Sequence, residues 1–168
     1  MVVVKYSVND VVISSVKFLS PFVKSQESFR IFIKMKIVLS RSCDAKFLSP
    51  KNADLLKKDV LDNIILNSVW AISGIKDYKE FVANKDKKKS GVIAVKTQKK
   101  GSKNVVEIVD DGCGIGEKDL NNVFIKGFSR RASKGFGLYL AKKTVEKLGG
   151  EISLKSEIGK FTKVKVII

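Results

Sequence analysis

A chain of 168 residues with 44% hydrophobic content can bury the core of one domain without disulfides, and residues 1–168 are read as a single unit. With no histidine, and with Cys43 and Cys113 far apart, neither a His/Cys metal centre nor an internal histidine acid or base is available. The 33 Lys and Arg against 17 Asp and Glu leave a net charge of +16, but no aromatic residues are interleaved with the lysines to stack on bases, so nucleic acid is not expected as the main partner.

The lysines instead cluster in apparent hairpin tips, at 84–91 and 98–104, where solvated charge is ordinary. No apolar run approaches the roughly 18 residues of a membrane span, and the first ten residues lack the apolar stretch of a signal peptide. Sparse thiols fit a reducing, cytoplasmic setting, including that of the cytoplasmic part of a membrane-associated sensor.

Val2 to Tyr6 reads as a short strand, with Ser7 or Asn9 capping a helix whose apolar face is Val8, Val11, Val12, Val16, Leu19 and Val23. Pro21 should end or bend that helix near Ser20. From Phe29 to Leu39 apolar residues alternate with Arg30, Lys34 and Lys36, the period of a half-buried strand, and a turn at Ser40–Asp44 leads to a brief strand at Ala45–Leu48.

Ser49-Pro50 then opens a helix running to about Ser73, with Gly74 as its stop. Its apolar face comprises Leu56, Val60, Leu61, Ile64, Ile65, Val69 and Ile72. Asn63 and Asn67 lie one turn apart on that helix, where asparagine is unfavourable because its amide competes for backbone hydrogen bonds. Either both amides point to solvent or a neighbouring loop, or they serve a ligand.

A short segment around Asp77 to Ala83 precedes two antiparallel strands, Gly91–Gln98 and Val105–Val109, the second expected to be buried on both faces. That strand ends in Asp110, and Gly112 and Gly114 follow, allowing a sharp turn and close approach to a ligand. Lys118 to Val123 forms one or two helical turns. Gly135 and Gly137 stand before a helix with Leu138, Ala141, Val145 and Leu148 on one face, so its free N–H groups can meet a phosphate chain. Gly149-Gly150 caps that helix, and EISLKS and FTKVKVII supply two closing strands.

A strand ending in Asp, a Gly-x-Gly turn, a basic lid and a Gly-x-Gly helix start resemble the GHKL, or Bergerat, ATP-binding family, most closely its sensor histidine kinase branch. Asp110 to Ile115 match the first glycine box, Gly135 to Leu138 the second, and Asn63 with Asn67 the N box. Phe124 and Phe128 resemble the F box, although Phe124 alone reads equally as core. The sequence departs from the family at Trp70, where many members carry a charge, at Ser133, where a further glycine is common, and at Phe161, a place often held by glycine.

The resemblance implies a two-layer α/β sandwich, a mixed and mainly antiparallel sheet with helices on one face. It implies Mg-ATP as ligand, with Asn67 on Mg²⁺ and Asn63 one turn earlier. Asp110, Gly112, Gly114, Ile115 and Thr162 would surround the adenine. Phe124, Arg130, Lys134, Gly135, Phe136, Gly137 and Leu138, together with Arg131, would belong to the lid and phosphate cradle. The expected function is an ATP-binding catalytic domain that donates the γ-phosphate to a histidine on a separate domain or chain. The alternatives are an ATP-driven conformational module of a larger GHKL ATPase and a non-catalytic nucleotide-binding interaction domain.

Overall fold

The structure, a computed structural model, describes residues 6–24, 31–45, 47–74, 89–130 and 133–168. Strand β1 (Tyr6–Ser7) leads into helix α1 (Val8–Lys24), followed by β2 (Ile31–Val38), a 3₁₀ turn (Arg41–Ala45) and β3 (Phe47–Leu48). A long helical stretch consists of α2 (Pro50–Leu55), a π-helical segment (Leu56–Leu61) and α3 (Asp62–Ser73). Then come β4 (Lys89–Lys100), β5 (Lys103–Asp110), the single turn α4 (Glu117–Leu120), α5 (Gly137–Lys147), β6 (Glu151–Glu157) and β7 (Phe161–Ile167).

Five strands form one sheet in the order β2-β4-β5-β7-β6, while β1 and β3 pair separately. Only β2 and β4 run parallel in the larger sheet. The apolar positions of α1, the π-helical segment, α3 and α5 join those of one sheet face in a single core, giving the expected two-layer sandwich. Of the expected hairpin tip at 84–91, residues 89–91 are strand instead, and 84–88 lie outside the described residues. Lys89 to Gly91 pair with β2, and a parallel partner is reached by a crossover, here carrying α2 and α3.

All seven apolar positions foreseen on the long helix are buried. Leu56, Leu61, Ile64 and Ile65 are almost fully enclosed, each burial worth about 1.5–3 kcal/mol. Ser49 accepts a bond from the Asn52 amide (3.2 Å) as N-cap, Pro50 opens the first turn, and Gly74 closes the helix at φ 62°. The π-helical segment was not foreseen.

Ser7 caps α1: its Oγ accepts from the Asp10 amide (3.1 Å), and its own amide donates to Asp10 Oδ2 (2.8 Å). Asn9 instead buries its amide, donating to the Ser40 carbonyl (3.0 Å) and accepting from Thr97 Oγ1 (2.8 Å). Helix α1 passes through Pro21 to Lys24 rather than ending near Ser20. The proline costs one backbone bond, while Val8, Val11 and Val12 anchor the helix on the core upstream. Val2 to Lys5, Phe29, Arg30 and the segment Asp77 to Ala83 lie outside the described residues.

Strand β5 is buried on one face and only in part on the other, where Val105 is enclosed. Val106, Ile108 and Asp110 face the helices, whereas Glu107 and Val109 are half-buried on the other side, where Glu107 meets Lys163 (3.1 Å). Register matters here, because a one-residue slip would turn Glu107 inward and Asp110 out. On the edge strand β2, Ile33 is buried but Ile37 is 42% exposed, since the far end of that strand has less cover.

Candidate nucleotide site

Strand β5 ends by delivering Asp110, 4% exposed, to the floor of a cavity of about 400 Å³ between the sheet and α3. Ser68 of α3 donates its hydroxyl to Asp110 Oδ2 (2.7 Å), and the Gly112 amide donates to Oδ1 (3.1 Å). Burial pushes the carboxyl above its ordinary value, the Ser68 and Gly112 bonds oppose that shift, and the charge of Asp111 adds slightly to it. Asp111 faces outward, its Oδ1 accepting from the Val92 amide (2.7 Å).

The two glycines of the turn differ in purpose. A Cβ on Gly112 would stand 2.6 Å from Ala71 Cβ and 2.7 Å from its carbonyl carbon, so Gly112 is required by α3 behind the loop and does not line the cavity. Gly114 does line it, at φ 67°, with the Glu157 carbonyl oxygen 2.2 Å from a would-be Cβ. The β6–β7 turn thus presses against this loop, and the Gly159 amide donates to the Cys113 carbonyl (2.8 Å).

Asn67, Asp110, Gly114, Ile115, Arg130, Gly135, Gly137, Leu138 and Thr162 meet around the cavity. Asn63, Phe124, Lys134 and Phe136, like Gly112, do not line it. The Asn63 amide turns back along its helix, donating to the carbonyls of Asp59 (2.9 Å) and Lys58 (3.3 Å), and its oxygen lies 3.2 Å from a Cβ position on Gly137. Phe124 is half-buried with Lys142 Nζ 5.6 Å from its ring centre, and Phe136 is exposed with Lys126 Nζ at 5.7 Å. Lys134 is exposed and Arg131 lies outside the described residues. Arg130 pairs with Asp119, and both line the cavity.

Ser68 and Asp119 went unrecognised in the sequence, as did the placement of Trp70 and Cys113 in the cavity wall. Ser68 had one available signal: a hydroxyl directly after Asn67, on a helix whose neighbours are apolar. Gly137 and Leu138, in the first turn of α5, line the cavity, so the helix N-terminus, the end that carries free N–H groups, lies beside it. Among the described residues no three His, Cys, Asp or Glu side chains gather to hold a metal. A divalent ion would therefore rely on the Asn67 amide oxygen plus water and phosphate, a donor set that suits Mg²⁺. Among the described residues no helix is long and apolar enough to cross a membrane.

A family profile described as histidine kinase-, DNA gyrase B-, and HSP90-like ATPase matches residues 54–168, the stretch that holds the buried acid, the glycine turn and the helix start. The chain belongs to that ATPase family. It is 40% identical over 86 residues to the signal transduction histidine-protein kinase ArlS of Staphylococcus aureus, a match spanning 47% of this chain and 19% of that relative.

The fold is similar to the mycobacterial sensor histidine kinase MprB, with TM-score 0.70 at 15% identity over 99% of this chain and 97% of that one. It is similar also to the catalytic domain of histidine kinase ThkA, with TM-score 0.70 at 16% identity over 100% and 95% of the two chains. Full-length ShkA in complex with AMPPNP gives TM-score 0.73 at 14% identity over 99% of this chain and 31% of that one.

Proposed function

We propose that this chain binds Mg-ATP and presents its γ-phosphate to a histidine carried by a separate domain or chain. The observation that carries the reading is the buried Asp110 carboxylate, held by Ser68 and Gly112 at the cavity floor. Each carboxylate oxygen keeps a lone pair beyond its present bond, so Asp110 can accept from the amino group of adenine. Guanine offers a carbonyl at that position, and two acceptors facing each other in a buried site are penalised.

Asn67 would hold Mg²⁺, which neutralises charge on the phosphates when bound. The first turn of α5 offers N–H groups to the same phosphates, and Arg130 would exchange its Asp119 partner for one of them. Hydrolysis needs a base for water. Asn63 cannot serve, since an amide takes no proton and its nitrogen is committed to backbone carbonyls. Transfer therefore uses an external imidazole: its nitrogen forms the new bond to the γ-phosphorus, the bond to the bridging oxygen breaks, and ADP leaves.

Calorimetry with ATP, ADP and GTP side by side tests the binding half, and equal affinity for GTP would remove Asp110 from its role. For the transfer half, ³²P-labelled ATP is followed with and without a histidine-bearing helical domain. Substantial turnover by the chain alone would instead support the ATPase-module reading.

A further inference from the structure

Beside Asp110 lies a three-hydrogen-bond cluster centred on Ser156. Its Oγ is 2.6 Å from the Phe161 carbonyl, 2.8 Å from the Ile115 amide and 3.0 Å from Thr162 Oγ1. A serine hydroxyl has one proton and two lone pairs. The carbonyl can only accept and the amide can only donate, so the proton of Ser156 goes to Phe161 and one lone pair receives Ile115. One lone pair remains for Thr162, whose own proton must fill it.

We infer that Ser156 fixes the polarity of Thr162, making its hydroxyl an acceptor toward the cavity, so that Ser156 is a positioning residue for base selection. Thr162 is 7% exposed, lines the cavity and pairs in register with Asp110 across β5 and β7. With its proton committed to Ser156, Thr162 offers only lone pairs to a ligand. The base end of the cavity then presents two neighbouring acceptors, a carboxylate and a hydroxyl, which the two N–H bonds of the adenine amino group can fill, whereas guanine would set its carbonyl oxygen against both. A threonine free to rotate could instead donate to the guanine carbonyl, weakening the discrimination made by Asp110. Ser156 also holds the Ile115 amide, tying the glycine loop to β6 in the same step.

The inference rests on the adenine-nucleotide reading of the cavity. Its test compares ATP and GTP dissociation constants for the unsubstituted chain, Ser156→Ala and Ser156→Thr. Ser156→Ala releases the Thr162 proton and should narrow the ATP-over-GTP preference about tenfold, the scale of one buried hydrogen bond, with Ser156→Thr restoring it. Partial unfolding lowers both affinities by the same factor and leaves their ratio unchanged, so a merely structural serine would not produce this result. An unchanged ratio in Ser156→Ala overturns the inference while leaving nucleotide binding intact. No ATP preference in the unsubstituted chain overturns the nucleotide reading and this inference together. Without nucleotide, hydrogen exchange at the Ile115 amide should quicken in Ser156→Ala and recover in Ser156→Thr; unchanged exchange also counts against the cluster.

Discussion

Replacing Asp110 with Asn keeps the shape of the side chain but exchanges one acceptor oxygen for a donor NH₂. The Gly112 amide is a fixed donor 3.1 Å from Oδ1, so the remaining oxygen must stay there. The new NH₂ then occupies the Oδ2 position, where the Ser68 hydroxyl at 2.7 Å can rotate and accept from it. Packing survives, but the cavity meets the adenine amino group with a second donor. Losing a charge-assisted bond there should weaken ATP binding by about 1.5–3 kcal/mol, or about 10- to 150-fold.

Stability should move the opposite way. Burial raises the Asp110 carboxyl above its unfolded value, so the folded state holds this proton more tightly and the ionised form costs stability at pH 7. That cost sets in as pH rises from the unfolded value of 3.8 through the raised folded one, and vanishes below 3.8, where the acid is neutral in both states. Asp110→Asn should therefore melt higher than the unsubstituted chain at pH 7, with the gap shrinking as the solution is acidified. Calorimetric titration with ATP and thermal unfolding between pH 4 and 7.5 measure both effects. ATP affinity within twofold of the unsubstituted chain, in a protein that still folds, would refute the assignment.

Asn67→Ala should weaken Mg²⁺-dependent ATP binding more than adenosine binding, measured by titration with and without EDTA; equal losses would make Asn67 a structural amide. Steady-state release of phosphate by the chain alone should stay at background, because the Asn63 amide cannot take a proton from water and the sequence contains no histidine. Gly114→Ala should destabilise the fold by about 1–3 kcal/mol in urea denaturation, since the residue sits at φ 67° against the Glu157 carbonyl.

The long helix was legible because one function, burial, set seven of its positions, and a 3.6-residue period survives in any reading frame of apolar side chains. Its π-helical segment was not. Leu56, Val60, Leu61, Ile64 and Ile65 come as adjacent apolar pairs and near repeats, so the wider turn still places an apolar residue inward and leaves no mark in the pattern. Asp110 stood out as an acid ending an apolar strand. Ser68 did not, since its partner is 42 residues away and a helical serine satisfies many roles. The need for glycine at 112 was legible, but not that Ala71 shares it: the missing Cβ makes room for α3, and only packing reveals which side of a glycine is crowded.

The pairing of Asp110 with Thr162 in the middle of the sheet, and of Asp110 with Ser68 on the helix above, bears on how the chain folds. No local stretch contains the base end of the cavity. It exists only once β7 has docked beside β5, a contact of high sequence separation whose closure carries an entropic cost. Nucleotide therefore cannot template an intermediate that lacks this pairing. It can only reward the finished topology, by about 2.7 kcal/mol at a hundredfold excess over the dissociation constant, so ligand rescue of an unstable variant would report completed chain closure and not partial structure.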